Sequence, residues 1–222
     1  MGEQTFADYE TLLVDNGSPI PAALIAAEFP KTRCIRQENG GSALARNAGI
    51  AAATGRNFVF LDADDHLLPP ALEAGMNALN EPPERGFAVG RREEMTYEGA
   101  LISWGVAALP AESQIYETLL GFSWYIIPPS SAIFRREVVE RVGGFQNPWG
   151  CDDLDFYLRV ARQYQVFCCE EPAVTRYRRY SASSSRDGER MLESVREVYR
   201  RQLPDVQGNP NSSAPIQKVS PR

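Results

Sequence analysis

Carboxylates gather at one place in the chain, Leu61-Asp62-Ala63-Asp64-Asp65-His66, directly behind the apolar run Phe58-Val59-Phe60-Leu61. An apolar run with two aromatics and a β-branched residue reads as a buried strand, so the acids fall at its tip. Side chains alternate along a strand, which sends Asp62 and Asp64 to one side while Asp65 begins the turn toward Pro69-Pro70. Acids this close repel one another unless water or a cation separates them. Oxygen donors suit a hard divalent ion such as Mg²⁺ or Mn²⁺, and an ion held by one or two carboxylates keeps positions open for a nucleotide's diphosphate. The competing reading is structural: Asp65 caps the next helix and the other acids are solvated loop residues.

A second acid stands at a second strand tip. Thr11-Leu12-Leu13-Val14 reads as a short buried strand that breaks at Asp15-Asn16-Gly17-Ser18-Pro19, each a residue that tight turns favour. Asp152 and Asp153 precede a helical pattern in which Leu154, Tyr157, Leu158 and Ala161 share a face, which sets the pair at a helix N-terminus. The macrodipole favours carboxylate there; capping explains one Asp but does not need two. Arg46 and Asn47 are the large polar groups on a helix of small residues running from Ser42, an expected N-cap, to Gly55, an expected left-handed stop. Arg46 could face solvent or a ligand. The basic, hydroxyl-rich stretch Arg178 to Arg186 could close over phosphates or remain a surface loop.

Positioning these groups falls to an alternating series of elements. After the first strand, Pro21 to Phe29 reads as a helix, Arg33 to Gln37 as a strand, Ser42 to Gly55 as a helix, Phe58 to Leu61 as a strand and Pro70 to Asn80 as a helix. Strand and helix in turn predict an α/β fold with a mostly parallel sheet flanked by helices, in which ligands bind beyond the carboxyl ends of the strands. A half-exposed hairpin follows over Phe87 to Trp104, a helix over Glu112 to Gly121, a strand over Ser131 to Phe134, a helix over Arg135 to Val142, and late strands near Val166 to Cys169 and Ala173 to Tyr177. Trp124 to Ser131 is apolar and aromatic; buried core explains it more simply than a sugar or base platform. A last helix is expected over Met191 to Gln202. One domain over residues 1–203 and a disordered tail over 204–222, rich in Pro, Asn, Ser and Gln, complete the layout.

Composition limits the choices. The 222 residues, 43% hydrophobic and 23% charged, describe an ordinary globular domain with enough apolar surface for a core. A net charge of -6 argues against general affinity for nucleic acid. Cys34, Cys151, Cys168 and Cys169 show no metal or redox spacing and read as reduced thiols. With no signal-peptide pattern and no transmembrane segment, a cytoplasmic protein is expected, peripheral at most to the inner face of the membrane.

Taken in order, these stretches resemble the GT-A fold glycosyltransferases of family 2. Leu13-Val14-Asp15-Asn16-Gly17-Ser18 is similar to the family's V-D-D/N-G-S turn, and Gly40-Gly41 with Ala45-Arg46-Asn47-Ala48-Gly49 to its G-x-x-x-A-R-N-x-G helix. Leu61-Asp62-Ala63-Asp64-Asp65 is similar to its D-x-D-D segment and Val142-Gly143-Gly144-Phe145 to its V-G-G-F. Asp152-Asp153-Leu154-Asp155 with Leu158-Arg159 is similar to its E-D-x-D-x-x-x-R helix, with Asp where Glu is usual. Each motif alone is weak; five in the family's order are specific, and they run from Thr11 to Ser185.

The resemblance implies inverting transfer of a sugar from a nucleotide-diphosphate donor, UDP-linked above others, to a carbohydrate, lipid-linked or protein acceptor hydroxyl. It implies Asp15 and Gly17 at the nucleotide base with Arg46 nearby, Asp62 at the ribose, Asp64 helped by Asp65 on Mn²⁺ or Mg²⁺, and Asp153 as general base beside Asp152. Family members open with a further strand and helix, so an exposed sheet edge, through which copies could associate, is expected next to β-strand Thr11–Val14. The competing readings are a glycosyltransferase-like chain that binds without catalysis and a sugar-phosphate nucleotidyltransferase; the latter's glycine-rich signature with Lys is absent.

Overall fold

The computed structural model of the chain describes residues 3–80, 84–102, 115–121, 127–146, 150–169, 171–179 and 188–207. Its first half alternates as expected: β1 (Thr11–Asn16), α1 (Ala23–Ala26), β2 (Thr32–Gln37), α2 (Ser42–Ala52), β3 (Asn57–Val59), β4 (His66–Leu67) and α3 (Ala71–Asn80). There follow β5 (Arg85–Gly90), β6 (Arg92–Met95), β7 (Leu101–Ile102), α4 (Ile115–Leu120), β8 (Ala132–Arg135), α5 (Arg136–Val142), α6 (Asp152–Ala161), β9 (Gln165–Cys169), β10 (Thr175–Arg178) and α7 (Gly188–Gln207).

Several element boundaries depart from expectation, two of them for reasons visible in the packing and the chain. The helix expected over Pro21 to Phe29 is a single turn because its apolar residues find nothing to pack on: Leu24, Ile25 and Phe29 are 69%, 59% and 55% exposed, and a short helix without tertiary packing does not propagate. Helix α7 runs through Pro204 to Gln207, beyond the expected start of the tail; 208–222 lie outside the described residues.

Among the described residues the strands form three sheets, and the mostly parallel sheet expected is mixed. β1 pairs in parallel with β2, from Thr11 opposite Thr32 to Asn16 opposite Gln37. The central sheet has the order β3-β8-β5-β9, with β8 antiparallel to both neighbours and β5 parallel to β9. The third has the order β4-β10-β6-β7; here β6 and β7 form the expected hairpin and β10 lies parallel to β6 and antiparallel to β4. Local periodicity does not encode strand direction.

Helix α2 joins the first sheet to the second. A Cβ on Gly49 would lie 3.6 Å from the Val14 side chain, while Ala43, Ile50 and Ala53 join the main core with Phe58, Phe145 and Phe156. Only small residues let one helix sit close to both. At the heart of that core Phe87 stacks on Phe134 with ring centroids 4.9 Å apart, and Tyr157 of α6 stacks on both at 5.8 and 5.7 Å. Each fully buried aromatic of this kind contributes roughly 2–3 kcal/mol, so α6, and the acids at its start, are firmly seated on the sheet.

Candidate active site

Arg46 joins distant parts of the chain. Its guanidinium donates to Asp152 Oδ2 at 2.5 Å and to Asp62 Oδ1 at 2.8 Å, and Ser42 Oγ, one turn earlier on α2, donates to Asp152 Oδ1 at 2.9 Å. The two carboxylates hold the guanidinium's pKa above its ordinary value, although burial opposes them. The rigid planar fork of arginine can serve two carboxylates at once where a lysine's point charge cannot. Ser42 was expected to cap α2; instead Gly41, at φ 87, turns the chain in, and Ser42 is the first helical residue. Its hydroxyl is thereby released for Asp152.

The next residue secures the same corner. Asn47 Nδ2 donates to the Phe145 carbonyl at 2.7 Å and its Oδ1 accepts from the Phe145 amide at 2.9 Å. Gly144, at φ 65, is required there, since a Cβ would lie 2.6 Å from Asn47 Oδ1. From the other side Arg159 donates to the carbonyls of Val142 at 2.5 Å and Gly144 at 2.6 Å while pairing with Asp155 at 2.9 Å. The turn between α5 and α6 is therefore tied to α2 and to α6 itself, which fixes where Asp152 and Asp153 stand.

Asp153 keeps partial exposure and one oxygen accepts from the Leu154 amide at 2.8 Å. Burial first, then the charge of Asp152, raise its carboxyl to about 6 against the pull of Arg46. That value suits a general base near neutral pH.

The acids behind β3 turn in different directions. The strand ends at Val59, short of the expected Leu61, and the Asp65 amide donates back to the Asp62 carbonyl at 3.1 Å. The period-two alternation therefore does not apply to Asp62 and Asp64. Asp62 faces Arg46 with its side chain 41% exposed. Asp65 is buried, with Oδ2 accepting from Ser130 Oγ at 2.7 Å and Oδ1 from the Arg178 amide at 3.0 Å, and burial raises its carboxyl to about 6. The Asp64 carboxylate accepts no hydrogen bond from the described residues, while its backbone carbonyl accepts from Arg178 Nε at 2.8 Å.

Arg178 also reaches Thr96 O at 3.2 Å, Tyr97 O, and His66 Nε2 at 3.2 Å, so this guanidinium staples the acidic loop to the β6–β7 hairpin. The rest of the basic stretch, 180–187, lies outside the described residues. No three of His, Cys, Asp and Glu form a ready metal cluster among the described residues.

Asp15 does not touch the Arg46 cluster. Its oxygens accept from the amides of Ser18 at 2.8 Å and Ala22 at 3.0 Å and from Arg36 at 2.6 Å, leaving 1% of the side chain exposed. The Ala22 and Ser18 amides, with Arg36 adding, lower its carboxyl to about 2. Gly17, at φ 80, brings the turn against Asn39, where a Cβ would lie 2.9 Å from the Asn39 amide nitrogen. Asn16 makes the connection inward: it donates to Gly41 O at 3.2 Å and accepts from the Gly40 amide at 3.1 Å. The tip of β1 thus abuts the loop that opens α2, one residue from Ser42.

Sequence reasoning missed Ser42, Asn16, Ser130 and the structural work of Asn47 and Arg159. Ser42 had a signal, since it lies four residues before Arg46 and so on its face of the helix; Ser130 had none.

Comparison with known proteins gives the following. A family model described as glycosyl transferase family 2 matches residues 2–143. The uncharacterized glycosyltransferase YwdF of Bacillus subtilis is 29% identical over 177 residues, which are 75% of this chain and 62% of that protein. The uncharacterized glycosyltransferase EpsJ of the same organism is 43% identical over 155 residues, 62% of this chain and 42% of that protein. The chain thus spans less than two thirds of the length of either relative. The crystal structure of S. aureus TarS 1-349 in complex with UDP-GlcNAc matches with a TM-score of 0.68 at 14% identity, over 90% of this chain and 60% of that one. At that identity the likeness establishes the fold, and the fold is the GT-A architecture of helices around mixed sheets.

Proposed function

The chain belongs to glycosyl transferase family 2, and on that premise we propose that it transfers a sugar from a nucleoside-diphosphate donor, a UDP-sugar, to an acceptor hydroxyl with inversion at the anomeric carbon. The observation that carries this reading is the double ion pair of Arg46, which draws the strand-tip acid Asp62 and the helix-start acids Asp152 and Asp153 to one place. The TarS structure of the same fold holds UDP-GlcNAc, which supports a UDP-linked donor.

Asp153 takes the proton of the incoming hydroxyl. Its carboxyl near 6 leaves it ionised at neutral pH yet basic enough to accept. Asp152, satisfied by Arg46 and Ser42, supplies the neighbouring charge that keeps Asp153 basic. Asp62 has solvent access beside Arg46 and faces the ribose of the donor. Asp15 and Gly17 shape the turn against which the base lies, Asp15 through the amides it gathers.

A divalent cation fits one position in this loop. Asp64 offers a carboxylate not engaged by the described residues, an oxygen ligand for Mg²⁺ or Mn²⁺ whose other positions the diphosphate and water would fill. Asp65 helps from behind by fixing the loop to Ser130 and β10. The cation, when bound, offsets the negative charge that develops on the departing nucleotide.

Calorimetric titration with UDP, with and without Mn²⁺, tests the donor site. We expect binding that needs the metal and is lost in Asp64→Ala; wild-type protein that ignores UDP at millimolar concentration with Mn²⁺ present would overturn the assignment. Asp153→Asn should keep UDP affinity and lose transfer by roughly 10²–10⁴-fold, the scale of a general base.

A further inference from the structure

Tyr157 stands one helical turn after Asp153 on α6. Residues four apart share a helix face, and helical side chains lean toward the N-terminus, so the phenol reaches back along the face that carries Asp153. The residue is 2% exposed and its ring lies nearly flat against Phe87 and Phe134, at interplanar angles of 19° and 12°. A phenylalanine would fill that slot equally well, so packing accounts for the ring and not for the hydroxyl. The hydroxyl is buried and has no hydrogen-bond partner among the described residues. Such a group is costly unless a partner arrives in another state of the molecule. After burial, the charges that act on it most are those of Asp153, Arg46, Asp62 and Asp152, with Asp153 first.

We propose that Tyr157 is a positioning residue for the base, its O–H, unpartnered among the described residues, turning to donate to the ionised Asp153 carboxylate and fixing the oxygen that receives the acceptor's proton. The groups that act on Asp153 are Asp152 from its own helix, Cys151 just ahead of it, Arg46 from α2 and Asp62 from the loop behind β3. Of these only Arg46 favours the ionised form. A hydrogen bond from Tyr157 adds to it, because a donor to the carboxylate stabilises the charged state. The catalytic consequence rests on the assignment of Asp153 as base; the proposed hydrogen bond does not.

The test is a ¹³C-carboxyl NMR titration of aspartate-labelled protein, with Asp153→Asn identifying the resonance. Tyr157→Phe should raise the Asp153 midpoint by about one pH unit, the worth of one hydrogen bond to a charge. UDP affinity with Mn²⁺ should be unchanged, while the thermal midpoint should fall slightly at pH 7.5, where Asp153 is ionised, and match the parent's near pH 4, where its carboxyl is protonated. In hydrolysis of UDP-GlcNAc, with water as acceptor, the acid limb of the rate profile should move by the same amount. An unmoved Asp153 midpoint overturns the proposal, and so does a lowered melting temperature with the midpoint in place, which would mark the hydroxyl as a structural bond. If Asp153→Asn still turns over donor, the base assignment falls and the titration judges the Tyr157 contact alone. If Asp153→Asn is inactive and Tyr157→Phe titrates like the parent, the base assignment survives and this inference does not.

Discussion

Asp65 and Asp153 both titrate near 6, and the same elevation does different work in each. Asp153 faces the cluster with Arg46, while Asp65 is sealed behind Asp64 with both oxygens engaged. A carboxyl whose folded pKa lies above its unfolded value of 3.8 stabilises the fold only while protonated. That contribution is complete below about pH 4 and is lost as pH rises through about 6. Asp65→Asn keeps an acceptor for the Arg178 amide and presents a donor to Ser130 without the buried charge. Urea unfolding at pH 7.5 should therefore show the variant more stable by about 1 kcal/mol, with the gain vanishing near pH 4. A variant less stable than the parent at both pH values would show that the ionised carboxylate is needed where it is. That these acids would stand behind apolar runs was legible from the sequence. Their directions were not, because β3 stops at Val59 and the acids ride a turn rather than a pleat. Asp15 shows the same limit: its residue type fits a ligand contact, but the amides of Ser18 and Ala22 claim it first.

At the level of elements, α2 and α6 carry the site between them, and both were readable because a helix writes its period and its ends into local sequence. The entry to α6 is the exception. Cys151 is at φ 52, in the left-handed region, where a side chain costs roughly 1 kcal/mol and a β-branched one more. Nothing in Trp149-Gly150-Cys151 announces which residue takes that conformation, since the glycine beside it, at φ 125, is also outside the usual range. The strain delivers Asp152 and Asp153 straight from the turn into the first helical positions. Cys151→Gly should be at least as stable as the parent, relief of strain offsetting the added freedom of the unfolded chain, while Cys151→Val should lose about 2 kcal/mol. Chemical denaturation of the pair measures this; equal stability of the Gly and Val variants would contradict the left-handed geometry. The strand directions were the unreadable part at this scale: β8 runs antiparallel to β3 and β5, and nothing in Ala132-Ile133-Phe134-Arg135 itself encodes a direction.

Across the whole molecule, the division into sheets sets where the fold opens first. Of the residues in β1 and β2 only Asp15 is buried, and the apolar side chains just beyond β1, Ile20 at 74% and Leu24 at 69% exposure, cover nothing. Among the described residues β1 has one ladder partner, β2, so its other edge carries no strand. What holds this pair to the rest is α2, together with Glu10, whose carboxylate gathers the Thr54 amide at 2.5 Å, the Thr54 hydroxyl at 2.7 Å and the Gly55 amide at 3.0 Å at the end of that helix. The strands β5 and β8, by contrast, bury Phe87, Val89, Ala132 and Phe134 completely or nearly so. Local opening follows buried apolar contact, so amides of Leu12 to Asn16 and Arg33 to Gln37 should exchange with deuterium about 10²-fold faster than those of Phe87 to Val89 and Ala132 to Phe134. Mass spectrometry of peptic fragments reads both sets in one experiment. Because the β1 tip abuts the loop that opens α2, UDP with Mn²⁺ should slow exchange in the first set by mass action on the closed form and leave the second set nearly unchanged. Uniform protection across all strands would mean that the first sheet is held as tightly as the core, and that the turn at Asp15 to Ser18 meets a nucleotide already rigid rather than being ordered by it.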